Sequence, residues 1–83
     1  MNKIIVEVHV PSTNKIYDAK IPRDIQIWEV TKLLSDMIAA NHPGMYAKDN
    51  DAILCDFVSG TILPANKLVD DVGLVNGSRV LLV

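Results

Sequence analysis

The sequence predicts an α+β fold in which one helix packs on one face of a mixed sheet. Three observations carry that reading. Two runs near the N-terminus alternate apolar and polar residues with the period of a half-buried strand. A stretch of helical period follows them. The chain then closes on Asn76-Gly77 and a continuous apolar run.

The first strand is Ile4 to Val10, with Ile4, Val6, Val8 and Val10 on one face and Ile5, Glu7 and His9 on the other. Pro11-Ser12-Thr13-Asn14-Lys15 is turn material. Ile16 to Ile21 alternates again, placing Tyr17, Ala19 and Ile21 opposite Ile16, Asp18 and Lys20. Pro22 lacks an N–H for a ladder and is expected to end this strand. Together the two runs form a hairpin.

Ile25 to Ala40 has helical periodicity, with Ile27, Val30, Leu34, Met37 and Ile38 on one stripe. Asp24 is the better cap by chemistry, and a start two residues later, at Gln26, is the alternative. Asn41-His42-Pro43-Gly44 stops the helix, and Met45 to Asp51 reads as a polar surface loop. A third strand is expected over Ala52 to Val58, with Ile53, Cys55 and Phe57 inward and Leu54, Asp56 and Val58 outward. Ser59-Gly60 is a turn, Thr61 to Leu63 a short strand, and Pro64 to Lys67 a loop. Asn-Gly favours positive φ at both turn positions and feeds the last strand, Val80–Val83, back into the sheet.

In that order, the first and last strands lie parallel at the centre of a five-stranded or four-stranded sheet, because near-continuous apolar strands have no edge to defend. This is the β-grasp arrangement, formed as a single domain over residues 1–83.

Composition bounds the function. Apolar residues make up 49% and charged residues 22% of the chain, which is the make-up of a compact globule. The net charge of −2 argues against an electrostatic grip on nucleic acid or an anionic membrane. No apolar run approaches the roughly 20 residues that span a bilayer, so no membrane insertion is expected. No small-residue cleavage site follows Met1-Asn2-Lys3, so no signal peptide is expected, and a lone cysteine fits a reducing cytoplasm.

The segment Val69-Asp70-Asp71-Val72-Gly73-Leu74-Val75-Asn76-Gly77-Ser78, followed by the closing strand, resembles the end of a ubiquitin-like domain. Tyr17-Asp18-Ala19-Lys20-Ile21-Pro22, then Ile27 and Val30-Thr31-Lys32-Leu33-Leu34 on the helix, extend the resemblance to the EsaB/YukD family. These are small ubiquitin-like proteins of bacterial type VII (WXG-type) secretion systems in Gram-positive bacteria, and the membrane component of the mycobacterial systems carries a similar domain. The resemblance implies a cytoplasmic, non-conjugated interaction module. Its expected partners are membrane or ATPase components of the secretion machinery. Exposed edge strands leave homodimerisation by sheet extension open.

Conjugation and sulfur transfer, the alternative covalent functions, use a glycine carboxylate on a flexible tail. Here Leu81-Leu82-Val83 is expected to be packed sheet, a poor acyl donor on steric grounds. Cys55 would need a base or an electropositive setting to act as a nucleophile, and neither His9 nor His42 is positioned by its element to supply one. Asp49-Asn50-Asp51 and Asp70-Asp71 lack the glycine-turned run and terminal glutamate of a calcium loop. No catalytic, cofactor or metal site is therefore expected. Two residues stand out as interaction candidates. Trp28 lies off the buried stripe, on the flank shared with Thr31, Lys32 and Ser35; it either anchors an interface or is covered by the His42–Asp51 loop. Phe57 lies near the sheet position where ubiquitin relatives keep a partner-binding apolar residue, and a register slip would expose it.

Overall fold

A computed structural model describes residues 3–41 and 52–83. The elements are β1 (Lys3–Val10), β2 (Lys15–Pro22), α1 (Ile27–Asn41), β3 (Leu54–Asp56), a short 3-10 turn (Asp70–Val72) and β4 (Arg79–Leu82). The sheet order is β2-β1-β4-β3, with β1 and β4 parallel and the outer pairs antiparallel. The central pairing of the first and last strands is thus as the sequence predicts, in a four-stranded sheet.

One face of the sheet is dry. Ile4, Val6, Val8 and Val10 of β1, Ala19 and Ile21 of β2, and Val80 and Leu82 of β4 form one cluster with Ile27, Val30, Leu34 and Ile38 of α1. Alternation in the strands and steps of three and four in the helix aim these side chains at each other. The opposite face, with Ile5, Ile16 and Arg79, is open.

The hairpin turn puts Asn14 at φ 54, a left-handed conformation asparagine tolerates. β2 ends at Pro22, as expected, and the ladder explains why the proline can still be its last residue. The amide of Glu7 donates to Ser78 O (2.8 Å) and that of Gly77 to Ile5 O (2.8 Å), so odd-numbered β1 residues turn their backbone toward β4. Val8, Val6 and Ile4 then bond Tyr17, Ala19 and Ile21 across the β1–β2 rungs. Ile16, Asp18, Lys20 and Pro22 consequently direct their backbone outward, where a missing N–H breaks no ladder.

The helix starts at Ile27, not Ile25, with Gln26 in the cap position. Glu29 compensates for the weak cap by accepting from Gln26 N–H at 3.3 Å, one half of a capping box. The free amides of Ile27 and Trp28 reach the carbonyls of Lys67 (2.9 Å) and Ala65 (3.1 Å). Tertiary acceptors from the 65–67 loop thus replace the side-chain cap expected from Asp24.

The third strand differs most from expectation. It is three residues long, and its register is shifted by one: Leu54 is 2% exposed and faces the core, whereas Ile53 is 40% and Phe57 37% exposed. Phe57 therefore points out of the core, not into it. Cys55 is buried, as expected, but the shift turns it away from the core cluster that Leu54 joins. Asp56 ends the strand because its carboxylate accepts from Ser59 N (2.8 Å) and Ser59 Oγ (2.9 Å), folding the chain into a turn. Thr61 to Leu63 forms no full strand. It makes one bridge, Cys55 to Ile62, with Asp56 N to Thr61 O (2.9 Å) and Leu63 N to Leu54 O (3.0 Å), before Pro64 removes the next donor.

Asn76-Gly77 also departs from the expected geometry. Only Gly77 has positive φ (87°), and Ser78 N bonds Val75 O at 3.0 Å, which is a type II turn. Asn76 gains a different role: its Oδ1 accepts from Ile5 N–H at 2.8 Å, extending the β1–β4 ladder by a side chain. Val83 continues the sheet through paired bonds with Ile53 (2.8 and 2.9 Å).

Candidate protein-interaction site

Trp28 occupies the second position of α1, one residue after the buried Ile27, so the helical turn carries its indole to the flank of the helix. It is 52% exposed. Its Nε1–H donates to Gln26 Oε1, and the Gln26 amide donates in turn to Asn66 O at 3.4 Å. The indole is therefore held at its polar edge while its apolar faces stay open, the condition for an interface anchor with little rotamer entropy left to lose.

Around it lies a groove of about 550 Å³. Thr31, Lys32, Ser35 and Asp36 of α1 form one wall, residues 52–54 the floor, and residues 62–65 the other wall. Ile53 and Ile62 (65% exposed) add apolar surface opposite Trp28. Lys32 and Asp36 give the rim one charge of each sign. An apolar channel with a charged rim and a semi-fixed tryptophan is suited to an apolar peptide segment or a helix face. The flank predicted from the helical wheel is thus the helical wall of a real concavity. The loop that the sequence offered as an alternative cover for Trp28, His42–Asp51, lies outside the described residues, as does Asp49-Asn50-Asp51 within it.

Phe57 sits elsewhere. Its ring packs on His9 with centroids 4.3 Å apart and planes at 32°, on the open face of the sheet. With Ile16 and Leu81 this pair lines a shallow hollow of about 300 Å³ near the β1–β2 turn. His9 Nε2 is 3.5 Å from Glu7 Oε2, and Arg79 Nε lies 3.9 Å from the same oxygen. No residue lines both concavities, so Trp28 and Phe57 do not share a site.

The remaining candidates take structural roles. Cys55 is buried, with the Leu81 strand between it and His9, and among the described residues no hydrogen bond joins its thiol to a base. Asp70 Oδ1 pairs with Arg23 Nε at 2.8 Å, and Asp71 Oδ2 accepts from Leu68 N at 3.4 Å, so both aspartates hold the turn. Among the described residues, no group of three or more His, Cys, Asp and Glu side chains gathers as a metal site. No helix among them is long and apolar enough to cross a membrane.

Sequence reasoning missed the groove's floor and far wall. Ile53 and Ile62 read as an inward strand residue and a strand centre, and only the shortened third strand exposes them. The signal was present in Asp56-Phe57-Val58-Ser59-Gly60, where an Asx-type turn competes with strand continuation.

The sequence matches no protein-family model and no curated protein. Solved structures do match. The ubiquitin-like domain of EccD5 from Mycobacterium xenopi superposes with TM-score 0.81 at 16% identity, covering 100% of this chain and 94% of that one. A chain of the MycP5-free ESX-5 inner membrane complex gives TM-score 0.81 at 15% identity, with this chain spanning 100% of its own length and 21% of the other. The ubiquitin-like domain of Plasmodium falciparum Dsk2 gives 0.70 at 20% identity, covering 96% and 95%. At these identities the likeness is one of fold: the chain has the ubiquitin-like β-grasp fold.

Proposed function

We propose that this chain is a non-conjugated, non-catalytic ubiquitin-like interaction module of a type VII secretion system, of the EsaB/YukD kind and acting in the cytoplasm. The observation that carries the reading is the end-to-end likeness to the EccD5 domain and to a chain of an ESX-5 inner membrane complex. The EsaB/YukD resemblance of the second strand and helix points the same way. The Trp28 groove is the docking surface, and its partner is a membrane or ATPase component that offers an apolar segment.

Arg79–Leu82 is laddered to β1 on one side and β3 on the other, and Val83 is bonded to Ile53, so Leu81–Val83 is packed sheet. The test is a photo-crosslinking residue at position 28 in the native cell, followed by mass spectrometry of the products. The expected adduct contains a membrane or ATPase subunit of the secretion machinery. Adducts only to copies of this chain, or none, overturn the assignment of the groove.

A further inference from the structure

The two edges of the sheet are not equivalent. Beyond β3, the 61–63 segment occupies the outer side through the Asp56–Thr61 and Leu63–Leu54 bonds. Beyond β2, no described residue pairs with the outward backbone of Ile16, Asp18 or Lys20. Among the described residues, β2 is therefore the open edge. Its outward positions carry an exposed isoleucine, aspartate and lysine.

We propose that β2 is a self-complementary dimerisation edge, pairing antiparallel with β2 of a second copy about a two-fold axis at Ala19. The inference is independent of the secretion reading.

Register follows from charge. Outward residues must meet outward residues, so only alternate registers form a ladder. With the axis at Asp18, two aspartates face each other. With the axis at Lys20, two lysines do. With the axis at residue 17, neither charge finds its opposite. With the axis at Ala19, Asp18 lies opposite Lys20 of the second copy, and Lys20 opposite its Asp18. That register places an opposite-charge pair on both central rungs. Ile16 then faces Pro22 of the second copy, whose missing N–H falls at the end of the ladder and costs one bond there. The residue on the axis is small, and its side chain faces the core, so the close-spaced rung at Ala19 meets no bulky obstacle.

The same geometry limits assembly to two copies. A two-fold pairing consumes the open edge of each chain, and the opposite edge is already covered, so no fibre propagates. The charged side chains discourage the other registers, which is how the edge avoids indiscriminate strand addition.

The test uses sedimentation equilibrium on the purified full chain at low ionic strength, with two charge reversals, Asp18→Lys and Lys20→Asp. Both positions are exposed, and unchanged circular dichroism and melting confirm folding. The wild type is expected to dimerise weakly, with Kd on the order of 100 μM given a small interface. Each reversal makes both central rungs like-charged and is expected to weaken self-association about 10-fold or more. Mixing the two variants restores association, because every rung between unlike chains again joins a lysine to an aspartate. A wild type that stays monomeric at about 1 mM overturns the proposal. So do single variants that dimerise as well as the wild type, and so does a mixture that fails to recover.

Discussion

The register of β3 decides which residues line the groove, and a pair of adjacent truncations tests it. Leu54 is 2% exposed, within the core cluster, while Ile53 beside it is 40% exposed on the groove floor. Leu54→Ala removes buried methyl groups and leaves a cavity, costing about 2–5 kcal/mol. Ile53→Ala leaves both backbone bonds to Val83 in place and removes a side chain already half in water, costing about 1 kcal/mol or less. For a domain of this size each kcal/mol moves Tm by about 4–8 °C, so Leu54→Ala is expected to melt roughly 10–40 °C lower and Ile53→Ala only a few degrees lower. Urea unfolding followed by far-ultraviolet circular dichroism gives the free energies directly, provided the slopes agree between variants. In the alternating register expected from sequence the order would reverse. A larger loss for Ile53→Ala than for Leu54→Ala would therefore refute the shifted register, and with it the exposure of the groove floor.

Two other outcomes follow from side-chain bonds to the backbone. Asn76→Ala deprives Ile5 N–H of its acceptor and is expected to destabilise by about 0.5–1.5 kcal/mol, with faster amide exchange at Ile5; unchanged exchange would show that the 2.8 Å bond contributes nothing. The Asp56 carboxyl is held below its ordinary range, first by the Ser59 amide and then by the Ser59 hydroxyl. Its depressed folded pKa means that the contribution is present above the ordinary value, about 3.9, and is lost as pH falls through the folded value. NMR titration of the Asp56 carboxyl carbon is expected to give a midpoint below that of free aspartate, and Asp56→Asn is expected to flatten the acid limb of stability.

What the sequence made legible was the part governed by local periodicity. Val6, Val8 and Val10 could face only one way, and Val30, Leu34 and Ile38 define a helical stripe whatever surrounds them. The parallel central pairing then followed from burial of two apolar strands. The failures lie where tertiary bonds override local preference. Gln26 caps poorly, yet the helix begins at Ile27 because the carbonyls of Ala65 and Lys67 accept from Trp28 and Ile27, 37 and 40 residues away. Asn76-Gly77 abandons the geometry with two positive φ values because its asparagine side chain bonds Ile5 instead. Over Ala52–Val58 the two possible alternations both present apolar residues, so pattern alone could not choose between them. Trp28 was visible as off-stripe, but the groove beside it depends on where residues 52–54 and 62–65 return.

Pro22 illustrates how a residue that ends a strand also reports an edge. A proline in a central strand would leave a neighbour's carbonyl without its donor, whereas at an outward position of β2 it breaks nothing within the monomer. The same parity that makes Pro22 harmless turns Asp18 and Lys20 outward, so strand end and recognition surface have one cause. The Trp28 groove is built on the β3 side, at the opposite border of the sheet from β2. Occupancy of one therefore leaves the other accessible. A dimer joined at β2 would carry two tryptophan grooves facing away from the axis, and a partner that is itself multimeric would be held at both. The second contact then forms at the effective concentration set by the rigid dimer and not at the free concentration of the chain, which lets two weak docking sites act as one strong one.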